Sequence, residues 1–406
     1  MELLPILASL RKHRIPALLI VLEIALACAV LCNAVFMISE RVAEIHLPNA
    51  VDEQGLSIAY VNGTDPDQAP SNIARDLEFL RGISGVKAVA AINSLPLSKN
   101  SWMTILDATP DQQLSAKTGV NAAEYFFSRG GGQVLGMRLL QGRWFNDEEY
   151  ANSTLGDSYM PSAHVMIITD TLAKRMWHGQ PALGKQVYVE KQSYTVVGIV
   201  ADVLQQQRQM SGDQGFYHSS FFPLSEGKGL DYYVMRSAPK DRQRIVREAV
   251  NGLGKLSPNA VVKGLTFSEQ RDKYFANTRS MAWLLVLVCT VMLAVTAFGI
   301  VGLTSFWVGQ RRRQIGIRRA VGATRGHILS YFRTENFLLS TAGVLLGMAL
   351  AYGINLYLMH HYELPRMPWY YLPGGALALW VLGQLAVSGP AARAASVPPV
   401  EATRSV

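Results

Sequence analysis

Charge is scarce in this sequence. Asp, Glu, Lys and Arg make up 17% of its 406 residues, against about a quarter in soluble domains. With 49% apolar residues, the deficit points to a membrane protein. Cysteine is scarcer still: Cys28, Cys32 and Cys289 all lie inside apolar runs, and none falls in the long polar middle. No disulfide framework and no zinc-ligand spacing can be built from them, so they read as small buried apolar side chains. Acidic residues are missing altogether between Gly309 and Thr334, where seven arginines stand. Part of the +8 formal charge is therefore concentrated locally. It speaks of membrane topology or a docking surface, and a nucleic-acid partner is not expected.

Catalytic sets are also lacking. Gly179–Gln186 (GQPALGKQ) nearly spells a phosphate-binding loop. It has no Ser or Thr to hold magnesium, and it follows a helical stretch and precedes a β-rich run, the reverse of strand–loop–helix. No Ser/His/Asp or paired-carboxylate constellation can be justified from spacing. The chain is expected to be no enzyme, to hold no cofactor or metal, and to depend on another chain for any ATP hydrolysis.

What is present is four apolar runs near the length that a hydrocarbon core of about 30 Å requires. They are Ile15–Ile38, Met281–Val308, Asn336–Met359 and the shorter Pro373–Ser388. The first is too long for the apolar region of a signal peptide and has no clear cleavage site, so it reads as an uncleaved anchor. Basic residues in short flanking loops set orientation. Arg11, Lys12 and Arg14 precede the first run, the seven arginines lie between the second and third, and Arg393 and Arg404 follow the fourth. The connection His360–Leu372 carries one Arg, one Glu and the aromatic cluster Trp369, Tyr370, Tyr371. Both termini are thus expected in the cytoplasm and the region from about Leu47 to Leu265 outside.

That outer region mixes β-rich runs, His164–Thr169 and Ser193–Val200, with helical stretches at Ile73–Leu80, Thr171–Trp177 and Lys240–Leu253. This pattern predicts an α+β domain, with two lobes expected, inserted between spans 1 and 2 of a four-helix membrane protein. Gln205–Gly215 is polar and reads as an exposed loop. The expected division is 1–47 (N-terminal segment, span 1 and stalk), 48–265 (outer core domain), 266–308 (stalk and span 2), 309–335 (cytoplasmic coupling loop), 336–359 (span 3), 360–372 (short outer loop), 373–389 (span 4) and 390–406 (cytoplasmic tail). Thr266 and Glu269 spell a capping box. A helix free of proline from Phe267 to Val308 would run about 60 Å, well beyond the bilayer. Span 1 likewise continues to Pro48. Two helices are therefore expected to act as stiff stalks. Within span 1, Glu23 is a costly mid-membrane carboxylate, read as a protonated or hydrogen-bonded group at a helix interface, the alternative being a proton, ion or substrate contact. Gly343 and Gly347, and likewise Gly299 and Gly302, read as close-packing positions.

Residues Gln310–Ser330 read QRRRQIGIRRAVGATRGHILS. This closely resembles the loop after the second span of MacB/FtsX-type ABC permeases: a basic start, E/Q-I-G-I-R, then A-x-G-A. Glu124–Phe127 (EYFF), Leu139–Phe145 (LLQGRWF), Leu183–Lys185 and Tyr194–Asp202 (YTVVGIVAD) resemble that family's periplasmic core domain. Pro390–Ala402 is similar to its P-A-x-x-A-A-x-x-x-P-x-E-A ending, with one Arg where two basic residues are usual and an extra proline. The resemblance spans the whole chain in order. It implies a permease in the bacterial inner membrane that pairs with a second permease, identical or a paralogue, and binds two cytoplasmic ABC ATPase subunits that hold the ATP and magnesium. The coupling-loop residues would be Arg312, Arg313, Ile315, Gly316, Ile317, Arg318, Arg319, Ala320, Gly322, Ala323 and Thr324; the residues themselves read as a segment that docks a partner through Ile315 and Ile317 while its arginines pair with carboxylates, the alternative being membrane topology or anionic-lipid binding alone. The resemblance further implies mechanotransmission, in which motor motion reaches the outer domain through the stalks. In MacB-like systems an adaptor and an outer-membrane channel complete an exporter of drugs, peptides or other small molecules. FtsX-like relatives instead activate a periplasmic partner, and lipoprotein-release permeases share the fold.

Overall fold

A computed structural model describes residues 14–99, 102–110, 119–156, 159–189, 192–207, 215–362 and 366–396. Arg11, Lys12, Glu363, Arg404 and the tail from 397 onward lie outside the described residues. The chain forms two compact units: Leu47–Ala276, and the remainder up to His46 and from Asn277.

The second of these is helical. Helix α1 spans Arg14–Ile45. In the outer unit come β1 (Leu56–Asn62), α2 (Ala69–Arg81), β2 (Ala88–Ile92), β3 (Met103–Leu106), β4 (Val120–Phe127), α3 (Gly131–Val134), β5 (Leu139–Gly142), α4 (Asp147–Ala151), β6 (Val165–Thr169), α5 (Asp170–Trp177), β7 (Gln186–Val189), β8 (Gln192–Val200), β9 (Ser219–Pro223), β10 (Tyr232–Arg236), α6 (Arg242–Leu256) and β11 (Val261–Thr266). Helix α7 (Phe267–Gln310) then runs unbroken for 44 residues, and α8 (Arg312–Ala320), α9 (Arg325–Tyr362) and α10 (Tyr371–Ala395) follow. Helices α1, α7, α9 and α10 are each long and apolar enough to cross a membrane.

The strands form one mixed sheet in the order β11-β1-β10-β2-β4-β9-β6-β8-β5, with β3 on β4 and β7 on β8. The β4–β9 and β6–β8 pairs are parallel and the others antiparallel. A bridge between Asp107 and Tyr188 brings β3 against β7, so β3, β4, β9, β6, β8 and β7 close into a small barrel. Side chains alternate across a strand, and the core follows that alternation. Ala59, Ala91, Phe126 and Ile168 point to one face, where α2, α5 and α6 contribute Leu77, Leu172 and Ile245. Ile58, Ala90, Tyr125, Phe127 and Ile167 point to the other, joined by Val134, Tyr150 and Phe267. The sheet is thus buried on both sides, and the domain expected between spans 1 and 2 is built as two cores on one continuous sheet.

The polar run after β8 departs from expectation. Gln205 and Gln206 are buried rather than exposed; 208–214 lie outside the described residues. The reason is hydrogen bonding. Gln206 Nε2 donates to the Glu124 carbonyl and its Oε1 accepts from the Trp102 N–H at 2.9 Å, while Gln205 Nε2 donates to the His218 carbonyl at 2.9 Å. Buried amides are tolerated when their partners are protein groups.

The helical unit packs through small residues. A Cβ on Gly343 would lie 2.8 Å from Ile24 Cβ, and one on Gly347 would lie 2.4 Å from Cys28 Cβ. These two glycines let α9 and α1 approach closely. Gly302, expected to serve packing, faces open space instead.

Candidate functional site

The Arg-rich segment folds as a short helix held at three points. Trp307 accepts from the Arg311 N–H at 3.1 Å, and Arg311 accepts in turn from the Ile315 N–H at 2.9 Å, so the backbone passes from α7 into α8 with little interruption. The Arg311 side chain, almost wholly buried, reaches α9 and contacts both oxygens of buried Glu335 at 3.3 Å. It also lies 5.7 Å from the Trp307 ring centre. Ile315 is inserted among Val308, Ile328, Phe332, Ala391 and Ala394. Arg318 sits 5.2 Å over the Tyr331 ring, a cation–π contact.

The turn that ends α8 is as specific. Gly322 has φ +104, a left-handed conformation that Gly adopts without strain. It lets the Gly322 and Ala323 N–H groups reach the Arg319 and Arg318 carbonyls at 3.1 and 3.0 Å, a helix stop of the Schellman kind. Thr324 Oγ1 then accepts from the His327 N–H at 3.3 Å and caps α9. The motif A-V-G-A-T is thus a tight corner that fixes α8 against α9.

This geometry sorts the coupling-loop residues. Ile315 and Gly316 are buried and anchor the helix from within, so Ile315 does not present itself to a partner. Ile317 is 51% exposed and Val321 84% exposed. At a spacing of four they share one helix face, and Ala320 beside them is exposed too. Arg312, Arg313 and Arg318 are exposed around that apolar strip, Arg319 is half-buried, and Ala323 and Thr324 lie in the corner. Val321, not singled out from sequence, is the most exposed apolar side chain of the segment. A signal for it exists: position 321 lies one turn beyond Ile317 and just before the helix-ending glycine. Arg311 and Glu335 also escape sequence reasoning, because only the fold places them together.

The root of α7 is the second notable region. Glu269 Oε2 accepts from the Thr266 N–H at 2.8 Å, and Thr266 Oγ1 accepts from the Glu269 N–H at 3.3 Å; this reciprocal pair is a capping box. Gln243 Nε2 of α6 donates to Glu269 Oε1 at 2.9 Å, and Gln270 Nε2 donates to the Leu97 carbonyl at 2.9 Å. Phe267 is fully buried in the second core. Strand β11 passes into α7 with no intervening loop, so the first turns of this helix are part of the outer unit's framework.

Glu23 lies apart from both regions. Its carboxyl packs against α7, where a Cβ on Gly299 would come within 2.3 Å of Glu23 Oε1. Gly299 therefore makes room for the acid. Among the described residues no cluster of three or more His, Cys, Asp or Glu side chains could hold a metal ion. The near-phosphate loop sits between α5 and β7, in helix–loop–strand order. Lys185 there lies 5.5 Å from the Trp177 ring centre and bonds Gln180 at 3.2 Å.

Elsewhere the outer unit fixes its charged loops locally. Arg143 donates to both oxygens of Glu149, at 2.9 and 2.7 Å. Burial alone would raise the Glu149 pKa, but these bonds and the Asn146 N–H bring it below its ordinary value.

Comparison with known proteins agrees with this architecture. The model of the MacB-like periplasmic core domain matches residues 27–253, and that of the FtsX-like permease C-terminal matches 286–399. An uncharacterized ABC transporter permease, YknZ of Bacillus subtilis, is 24% identical over 81% of this chain and 78% of its own. The macrolide export ATP-binding/permease protein MacB of Chromobacterium violaceum is 27% identical over 58% of this chain. The pyoverdine export ATP-binding/permease protein PvdT of Pseudomonas aeruginosa is 23% identical over 86%. The chain spans 36% and 51% of the length of these two exporters. The crystal structure of the periplasmic region of MacB from Actinobacillus actinomycetemcomitans covers 55% of this chain and 94% of its own, at 15% identity and a TM-score of 0.37. One family model covers most of the β-rich insertion and another the helices that carry the arginine corner, in the order in which the fold uses them; the chain belongs to the MacB/FtsX-like family of ABC transporter permeases.

Proposed function

We propose that this permease converts ATP hydrolysis by separate cytoplasmic ABC ATPase subunits, which bind the ATP and magnesium, into motion of its outer domain. The arginine-bearing corner and both termini face the cytoplasm, and Leu47–Ala276 faces the periplasm. The single observation that carries the reading is the form of α8. It is a short helix clamped from inside by Arg311 and Ile315, and it presents Ile317 and Val321 outward within a ring of arginines. An apolar strip with a basic rim suits a groove lined by apolar and acidic side chains on a partner. The clamp makes it a rigid lever rather than a floating tail. The unbroken α7, rooted by its capping box, supports transmission outward. The permease works as a dimer with a copy of itself or a paralogue. The relatives that are exporters favour export of a small molecule or peptide with an adaptor and channel.

Gentle-detergent purification of the full chain from its native host tests this. An ABC ATPase should co-purify. Val321→Glu, at a position whose side chain already faces outward, should release that ATPase or abolish its stimulation while the chain stays monodisperse. Arg318→Glu with Arg319→Glu should do the same. Undiminished ATPase recovery and stimulation in all these variants would refute docking at α8. A co-purifying adaptor supports export, and a co-purifying cell-wall hydrolase supports an FtsX-like regulatory role instead.

A further inference from the structure

We propose that Arg271 is a yoke between the two segments that connect the outer unit to the rest of the chain, so that displacement of α7 is passed on to the strap that follows α1. The proposal rests on the mechanical reading above and names the residue through which both connecting segments move in step.

Arg271 is the fifth residue of α7, on the first turns that belong to the outer unit. Its Nη1 lies 2.7 Å from Glu53 Oε1, and its Nη2 donates to the Leu47 carbonyl at 2.8 Å. The guanidinium also lies 5.6 Å from the ring centre of Phe275, which is 1% exposed. One planar group thus engages a carboxylate, a main-chain carbonyl and an aromatic face, with the fixed fork that Arg has and Lys lacks.

Both acceptors belong to the strap 47–53. Leu47 stands two residues beyond the end of α1 and precedes Pro48, which restricts its backbone to extended conformations. Its carbonyl is therefore held in direction as well as position. Glu53 opens the turn into β1 and also accepts from Asn49 Nδ2 at 3.0 Å. The strap's remaining bonds run to other parts of the sheet domain. Pro48 O accepts from Tyr217 Oη at 3.0 Å, Asn49 Oδ1 from the Leu204 N–H at 3.2 Å, and Asp202 O from the Ala50 N–H at 3.0 Å. Asp52 pairs with Arg236 at 2.5 Å. The strap is thus sewn to the loop after β8 and to β10, and Arg271 adds a side-chain tie from α7.

As an ion pair alone, Arg271–Glu53 would matter little, since both side chains keep about a fifth of their surface in solvent and the attraction between such groups is largely offset by their desolvation. The bond to the Leu47 carbonyl changes its meaning. It ties the backbone leaving α1 to the root of α7, which an ordinary surface pair does not do.

The test uses the full chain with its co-purified ATPase in lipid nanodiscs. Hydrogen exchange is followed at amides 49–53 and 267–276, with ADP and then with ATP plus vanadate. In the wild type both segments should change protection together. In Arg271→Ala the response at 267–276 should persist and that at 49–53 be lost, with basal exchange at 49–53 on the order of tenfold faster. Glu53→Gln keeps the Leu47 bond and should keep most of the joint response. Arg271→Lys, which cannot hold both acceptors in one plane, should keep less, and it serves alone if the Ala variant does not assemble. A joint response undiminished in Arg271→Ala or Arg271→Lys overturns the yoke while leaving the mechanical reading intact. A wild type with no nucleotide response in either segment overturns that reading, and the yoke with it.

Discussion

The two units of this molecule differ in where they leave their bulkiest apolar side chains. In the outer unit the largest side chains are inside: Tyr125, Phe126, Phe127, Tyr194, Phe221 and Phe222 are essentially inaccessible. In the helical unit several of the largest apolar side chains face outward, with Trp283 68% and Phe298 76% exposed, while Ala25, Ala27, Cys28, Ala29 and Cys32 are buried beside Ile20, Ile24 and Phe36. Water drives bulky apolar groups together, whereas lipid tails offer no such drive between helices and leave close packing of small residues to hold a bundle. The contrast is a direct record of two solvents, and it makes the two units sensitive to different substitutions.

The sharpest way to break the contrast is Gly347→Leu. A Cβ there would already sit 2.7 Å from the Ala25 carbonyl, and backbone cannot yield as a side chain can. The expected result is loss of the monodisperse helical unit in size-exclusion chromatography. Gly353→Ala, where a Cβ meets nothing within 4 Å, should be tolerated. Next in size is Phe222→Ala. The ring packs against Phe126 and Tyr194 at centroid distances of 6.1 and 5.0 Å, and its removal should cost about 3–5 kcal/mol, read as a lower urea midpoint for protease sensitivity of the outer unit. Glu335→Gln asks whether the helical unit also depends on a charge. It leaves the Arg311 cation buried without its counterion, and about 3 kcal/mol of destabilisation is expected. Replacing both residues, Arg311→Met with Glu335→Leu, should recover much of that stability yet still weaken ATPase stimulation.

The smallest effect concerns pH. His218 is 8% exposed, and burial, aided by the nearby Arg175 charge, pushes its pKa below the ordinary value of 6.5. The unfolded chain then takes up this proton more readily than the folded one. Stability from this group is complete above pH 6.5 and drains as pH falls below that value toward the depressed one. The protease-sensitivity midpoint of the outer unit should therefore fall between pH 7.5 and 5.5, and less steeply in His218→Gln. An equal slope in both would remove His218 as a source of the dependence.

Legibility followed range. The apolar spans, the capping box at Thr266 and the helix-ending glycine at Gly322 are local signals, readable because a few neighbouring residues suffice to satisfy the physics. Strands at His164–Thr169 and Ser193–Val200 are legible for the same reason, but not their neighbours in the sheet. The burial of Gln205 and Gln206 is hidden from sequence because the Gln206 amide bonds Glu124 and Trp102 and the Gln205 NH2 group bonds the His218 carbonyl, most of them far away along the chain. Within the coupling segment, Ile315 and Ile317 look alike as letters. Only Phe332, Ile328 and Ala391 decide that one is buried as an anchor and the other left exposed.

From sequence alone came the four spans, the inserted α+β domain and the basic corner between the second and third spans, since hydropathy, capping and charge act over a few residues. The tertiary structure decided which face of that corner is free and which side chains bind α7 to the strap after α1. Those outcomes depend on pairs such as Arg311 with Glu335 and Arg271 with Leu47, which chain folding brings within about 3 Å and which no local pattern can register.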